Sequence, residues 1–467
     1  MTLKDPAIVR TSPLGAGQAT EFHFLGFAPA QVDGFRRAIE DVRLIAERPA
    51  WATLAGITIS PLRPRADGKF WGNLFSADRT VCEHGAVRQK GPGLIFGLPD
   101  EPFPEDEPGE TVQAAIYGGV LFAGFGHIVL ESLARLGPDV AASDLPILFH
   151  IHPTRRESVP VLQSMLSFLG VDPRRVRLID KVLKVKALHA PRPGLVLGES
   201  LSLPYVAFVR DAVRRRATPL AQSSGQSGDR PVLLSRSALT GPQRRAVGEA
   251  FIEGAVGGFA EVVHPQVLSF ADQVAQVNAA SRLFGFIGSQ FHTLLFRTRE
   301  EPLDVVYLAS PAINPAFFQI DLLFGGRRLY VNATRYGQVF EFGKISPFLV
   351  NFDAVAEGLT AAGFAPRGFE LAPGAVELQR FVEAYYRSWF ELLVYAKLLR
   401  PSRYWDPAKR TELLVKACSR IKGGLAAVRA NPDLARLARE AVADTCRKYG
   451  KAADRATVAI VLENLLG

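Results

Sequence analysis

His127 and Glu131 stand four residues apart in YGGVLFAGFGHIVLESLARL, the stretch from Tyr117 to Leu136. If the chain is helical from about Gly126, that spacing puts an imidazole and a carboxylate on one face, close enough to interact. A carboxylate in that position fixes the tautomer of the ring and raises its basicity, which suits a general base. A core histidine bonded to its helix neighbour would show the same pattern. Two further places in the chain could do chemistry. Arg236, between Ser235 and Ser237, follows the apolar run PVLL, and Gly288 with Ser289 follows RLFGFIG and precedes a helical pattern. An arginine fork at a strand end pairs bidentately with phosphate oxygens, and a helix N-terminus offers its free amides to an anion. Each also has a plainer reading, as a surface ion pair or as a turn. His150 and His152 fall on one side of the strand pattern LPILFHIH, but no third ligand is near in the sequence, so no metal is expected there.

The elements that must position these residues follow from periodicity. EFHFLGF, WATLAGITISPL and GLIFGLP read as strands, and QVDGFRRAIEDVRLIAE, Gln31 to Glu47, has helical spacing. Beyond Leu136 the signals alternate. LPILFHIH is a strand, SVPVLQSMLSFLG a helix stopped by Gly170, DPRRVRLID a turn and strand, and PYVAFVRDAVRRR a helix. The polar stretch AQSSGQSGDR, Ala221 to Arg230, has the composition of a linker. After it come the strand PVLLSRS, the helix RRAVGEAFIEG, the strand AEVVHP, the helix LSFADQVAQVNAA, the strand RLFGFIG, a helix from about Ser289 to Arg297, and the strand PLDVVYLA. Alternation of this kind predicts parallel strands covered by helices, with ligands beyond the carboxyl ends of the strands.

The 467 residues suffice for two or three domains with their own cores. The expected division is an N-terminal α/β domain over residues 1–220, the linker 221–230, a second α/β domain over 231–375, and a basic helical extension over 376–467. That extension carries 17 Lys and Arg against 10 Asp and Glu, most of the net charge of +9. Any partner chosen by charge is met there, whether an anionic membrane surface, an acidic polymer or nucleic acid, although a solvated helical face has the same composition. Its first helix places Phe381, Tyr385, Trp389 and Phe390 at spacings that suit packing on a neighbouring domain. Three widely spaced cysteines, Cys82, Cys418 and Cys446, fit free thiols in a reducing compartment. The start of the chain lacks the apolar core of a signal peptide, and Ala114 to Gly126 is too short and glycine-rich to span a bilayer, so a cytoplasmic protein is expected.

The order of GFGHIVLESLARL, SRS at a strand end and HPQVLSFADQVAQVNAASRLFGFIGSQFHTLLF resembles glycosyltransferase family 61. The first block resembles the family's N-Y-x-H-W-x-x-E-x-L-P-R-L through His127, Glu131, Leu133, Arg135 and Leu136, with Gly124, Ile128 and Ala134 at the usual asparagine, tryptophan and proline. The last block resembles its H-G-A-x-L-T-N-x-L-F or G-S-x-L-H-N-x-L-F through Gly288, Ser289, His292, Leu295 and Phe296, with Ile287 and Thr293 as departures. The resemblance covers roughly Ala114 to Ala333.

It implies a GT-B architecture, two Rossmann-like domains facing a cleft, and inverting sugar transfer from a nucleotide-sugar with neither an obligatory metal nor a cofactor. His127 is then the expected base and Glu131 its orienting partner, although Glu131 itself could serve as base. Arg236 with Ser235, Gly288 and Ser289 would hold the donor diphosphate, aided by His292 and more weakly by Thr293 and Gln273. The partners are the nucleotide-sugar and a glycan acceptor in surface or capsular polysaccharide synthesis, with a peripheral place at the inner membrane through the C-terminal helices and no nucleic acid. Two other readings compete. A polysaccharide pyruvyl transferase shares the G-S-x-x-H-T pattern, though not the upstream H-x-x-x-E helix; a non-catalytic module would bind an acidic polymer through the basic tail.

Overall fold

The computed structural model describes residues 7–11, 19–64, 70–89, 93–96, 100–105, 107–122, 124–151, 156–220, 230–239, 246–336, 347–394 and 432–449. Within these, two sheets organise the chain. The first is ordered Val176–Ile179, Ile147–Ile151, Glu110–Leu121, Leu183–Pro191, Trp51–Ile59, Leu74–Phe75; the first four strands run parallel and the last two pairings are antiparallel. Its central strands read as unbroken apolar runs because both faces are covered, as parallel sheets require.

The second sheet is ordered Ala7–Thr11, Thr20–Leu25, Gly326–Asn332, Asp304–Ala309, Arg282–Phe286, Val232–Leu234, Glu261–Val263. All its pairings are parallel except the antiparallel outermost pair at the N-terminus. The chain therefore enters the second sheet before it builds the first, which a division into consecutive blocks does not anticipate. The alternating signals after Arg230 hold, with one difference. Ala246–Val247 is not the start of a helix but a short buried strand beside Phe348–Val350, and the helix spans Glu249–Val256. The Gln31 to Glu47 helix likewise stops early, at Pro29–Glu40, and Arg43–Ile45 pairs as a strand with Ser200–Ser202. In both places a partner distant in sequence overrides local propensity. The stretch 221–229 of the expected linker and His152 lie outside the described residues.

One apolar cluster joins the two sheets. It runs from Ile116 and Phe149 in the first through Met165, Val209 and Phe270 on the covering helices to Leu283 and Tyr307 in the second. The outer face of the second sheet is closed by the helix Phe352–Ala361, against which Phe381 of the helix Ala375–Val394 packs. Tyr385, Trp389 and Phe390 of that helix are buried, and it pairs with Pro432–Tyr449 through a hydrogen bond from Arg387 to Asp444. The aromatic face is thus used up in packing. Among the described residues, no helix is long and apolar enough to cross a membrane.

The short helix Ala316–Asp321 is held from below and reaches across to the first sheet's side. Asp321 and Arg328 form a fully buried ion pair at 3.1 Å, and the hydroxyls of Tyr307 and Tyr330 each donate to Asp321 at 2.7 Å. Burial pushes the Asp321 carboxyl up while Arg328 and the two phenols pull it down. From the same helix, buried Gln319 accepts from Gly198 N at 3.1 Å and donates to the carbonyls of Val196 and Ser200. It fixes the turn 196–200 to the second half of the molecule.

Candidate active site

The strand Glu110–Leu121 ends in a bulge between Tyr117 and Gly119, where Gly119 takes φ 94°. A β-carbon there would also press on Arg135, 3.2 Å from its Cδ and Nε, so glycine meets both demands. The chain then turns into one α-helical turn, Phe125–His127, which widens into a π-helical turn, Ile128–Ser132, closed by Leu133 N donating to Ile128 O. Ile128, Val129, Leu130 and Leu133 anchor it in the core, leaving His127 and Glu131 on the remaining face. Irregular turns of this kind recur where a side chain must be re-aimed for function.

His127 Nδ1 and Glu131 Oε2 share a short hydrogen bond. The His127 side chain is 55% exposed and that of Glu131 only 7%. The carboxylate is therefore anchored and the ring accessible, with Nδ1 committed to Glu131 and Nε2 the nitrogen left to meet a substrate. The ring stands beside Phe122, centroids 5.7 Å apart.

Directly before His127, Gly126 abuts the second half of the molecule. A β-carbon at Gly126 would lie 2.9 Å from both Ser289 Cβ and His292 Cδ2. The two sequence blocks farthest apart in the pattern thus touch. A cavity of about 510 Å³ opens beside this contact, lined by Phe125, Arg236, Gln266, Gln273, Ser289 and Gln290 among others.

Arg236 reaches the cavity from the end of strand Val232–Leu234. Its backbone N–H donates to Glu249 at 2.7 Å and its Nη1 to the Ile287 carbonyl at 3.3 Å. Gly288 leaves room for the guanidinium, since a β-carbon there would come within 2.9 Å of Nη1. Ser289 opens the 3-10 helix Ser289–Phe296 at the cavity wall. Gln273 lines the cavity while bonding to Leu268 O at 3.3 Å.

The remaining candidates face elsewhere. Ser235 is fully buried and turns its hydroxyl toward Glu249, at 3.2 Å, and Glu253. Thr293 bonds back to Gln290 O inside its own helix. His292 is buried against Gly126 and stacked on Phe317 at 4.7 Å, so it forms the floor of the contact. His150 is also committed: Nδ1 pairs with the Tyr117 hydroxyl at 2.9 Å and Nε2 with Ser60 O at 2.8 Å, and burial pushes its pKa down to about 4. Among the described residues, no cluster of three or more His, Cys, Asp or Glu is placed to hold a metal.

Glu249 emerges only from the structure. Its buried carboxylate takes the Arg236 N–H and the Ser235 hydroxyl and so fixes the loop that carries Arg236. Burial pushes its pKa up to about 7; the Arg236 N–H, the Arg236 charge and Ser235 oppose this, and the neighbouring Glu253 reinforces it. The H-x-x-x-E turn lines a second cavity at its far end, about 550 Å³, where Glu131 and Phe122 meet Arg135, Arg192 and the turn 196–200.

Parallel sheets flanked by helices, with the turn that bears His127 and Glu131 packed against the segment that bears Ser289 and His292, define a Rossmann-like α/β protein. Residues 125–303 match the family model described as Glycosyltransferase 61. The matched segment begins at the turn bearing His127 and ends before the strand Asp304–Ala309, so it holds both walls of the 510 Å³ cavity. No curated protein matches the chain. The match supports a glycosyltransferase.

Proposed function

We propose that this glycosyltransferase is inverting and uses a nucleotide-sugar donor, passing the sugar to a glycan acceptor in surface polysaccharide synthesis, with the two sheets arranged in the GT-B manner. The observation that carries the reading is the cavity lined by Arg236, Ser289 and Gln273 together with Phe125, beside the contact of Gly126, the residue before His127, with Ser289 and His292. Inverting transfer is one displacement. A base takes the proton of the acceptor hydroxyl, the freed oxygen attacks the anomeric carbon from the face opposite the leaving group, and the nucleotide diphosphate departs with the bonding electrons.

On this reading His127 takes that proton through Nε2, and Glu131, bonded to Nδ1, holds the ring and stabilises the imidazolium that forms. Charge building on the diphosphate meets the Arg236 guanidinium and the amides at Ser289, donors fixed before reaction and so needing little reorganisation. Arg236 is held in place by Glu249 through its backbone and by Ile287 through its side chain. These groups supply the positive charge for a transfer without an obligatory metal.

The test is a thermal-shift and calorimetric screen of UDP, GDP, CMP and their common sugars with EDTA present, repeated on Arg236→Ala. A ligand of the folded state alone raises the apparent melting temperature. One nucleotide class should bind to the wild type and at least tenfold more weakly to Arg236→Ala. Binding of phosphoenolpyruvate with none of the nucleotides would move the assignment to pyruvyl transfer. The anomeric configuration of the product, read by NMR, decides inversion.

A further inference from the structure

The 550 Å³ cavity at the far end of the His127–Glu131 turn has no part in holding the donor, and its lining is built around a cation. Arg135 is 7% exposed. Its guanidinium donates from Nη1 to Pro191 O at 2.5 Å and from Nη2 to Ala86 O at 3.2 Å, and it lies over the Tyr117 ring at 5.3 Å. None of these partners carries a negative charge. Burial accordingly pulls its pKa down. A buried guanidinium with only carbonyl and aromatic neighbours keeps its charge uncompensated, a costly arrangement unless a ligand completes it.

The rest of the lining tells which ligand would. Arg192, exposed at the same cavity, makes no ion pair among the described residues. Two of the three lining carboxylates are already engaged, Glu199 by Arg43 and Glu131 by His127. Glu83 alone opposes the two arginines, and it is exposed at the rim. The wall opposite is the turn 196–200, pinned by Gln319, so the space is preformed. Glu131 stands in this wall four residues before Arg135. A sugar whose acidic group pairs with Arg135 therefore presents its hydroxyls on the side of the His127–Glu131 pair.

We infer that this cavity is the acceptor site and that it takes a saccharide bearing an anionic group, with Arg135 and Arg192 as its specificity-determining contacts. The inference rests on the glycosyltransferase reading for the word acceptor, whereas the binding it predicts does not. An arginine fork matches a carboxylate or a phosphate in two parallel hydrogen bonds, which a neutral hydroxymethyl group cannot reproduce.

The experiment measures binding of short hexuronic-acid oligosaccharides, their carboxyl-reduced counterparts and hexose phosphates to the full chain, by calorimetry and saturation-transfer NMR, with no donor present. The acidic oligosaccharide should bind at least tenfold more tightly than its reduced counterpart, with affinity falling as salt rises. That gap should shrink severalfold in Arg192→Gln, whose exposed position leaves folding intact, and in Arg135→Lys, which keeps the charge and loses the fork. Preference for the hexose phosphate would make phosphate the recognised anion; preference for the uronate, a carboxylate. Equal binding of acidic and reduced forms, insensitivity of the gap to Arg192→Gln, or no saccharide binding by the folded protein overturns the inference. Retained uronate binding in a protein that binds no nucleotide-sugar would instead count against the function proposed above.

Discussion

Gly126 lies so close to His292 that a β-carbon on it would stand 2.9 Å from the imidazole Cδ2. The residue before the expected base is thus in direct contact with His292, which cannot yield easily because it is stacked on Phe317. Gly126→Ala should destabilise the protein by about 1–3 kcal/mol through overpacking. It should also lower kcat by at least tenfold, since a displacement of the turn misplaces His127. Chemical denaturation and initial rates on the same preparation check both, and a rate unchanged with lowered stability would separate the contact from catalysis.

In the proposed reaction, His127 and Glu131 divide the proton-transfer step between them. His127→Ala should reduce kcat by roughly 10²–10⁴-fold, the range for a general base, with donor affinity within about twofold of the wild type. The ring is exposed, so added imidazole should restore part of the rate. Glu131→Gln should cost less. A larger loss in Glu131→Gln, with no rescue of His127→Ala, would assign the base to Glu131.

Glu249 makes stability depend on pH in a stated direction. Its carboxyl is raised from 4.5 to about 7, so the native state keeps a proton that the unfolded chain has released between those values. The stability from this group is complete below about pH 4.5 and lost as pH rises through 7. Its full size is on the order of 2–4 kcal/mol. Glu249→Gln can still accept from Arg236 N–H and Ser235, and it should flatten the fall in melting temperature over that window. A pH profile of melting temperature identical to that of the wild type would contradict the assignment.

Arg328→Met should be costly even though Met fills much of the space. It leaves the Asp321 carboxylate buried with two phenols and no cation, a loss of about 3–5 kcal/mol. The helix bearing Phe317 and Gln319 should loosen with it. Hydrogen exchange at residues 316–321 and 196–200 should rise together.

Much of the second sheet was legible because its strands are covered on both faces. Arg282–Phe286 and Asp304–Ala309 read as apolar runs, and the helices between them show a clear 3.6-residue period. Ala246–Val247 was not, because two residues carry no periodicity and only pairing with Phe348–Val350 makes them a strand. The site shows the same divide. The His127–Glu131 contact was legible in spacing, and the place of Arg236 at a cavity wall in its strand-end position. Arg135 was visible only as a matched letter in a motif, and nothing in a sequence says that an arginine is buried without a carboxylate. Glu249 and Gln319 matter through contacts with distant backbone, which local pattern does not encode. Ser235 and Thr293 neighbour the cavity in sequence but turn their hydroxyls away from it.

The strand Thr20–Leu25 completes the second sheet by pairing with Gly326–Asn332, and the Thr20 hydroxyl bonds to Phe324 O across 304 residues of chain. During synthesis this strand leaves the ribosome early and has no sheet to join until most of the protein has followed it. The first sheet can assemble meanwhile, but the edge of the second stays open, and folding carries the delay of a long-range closure. A fragment ending near residue 220 would keep Thr20–Leu25 paired with Ala7–Thr11 but leave open the edge that meets Gly326–Asn332, and tend to aggregate. The two halves of this protein are therefore not exchangeable modules: a chimera that swaps the half carrying the second sheet must carry its own Thr20–Leu25 with it.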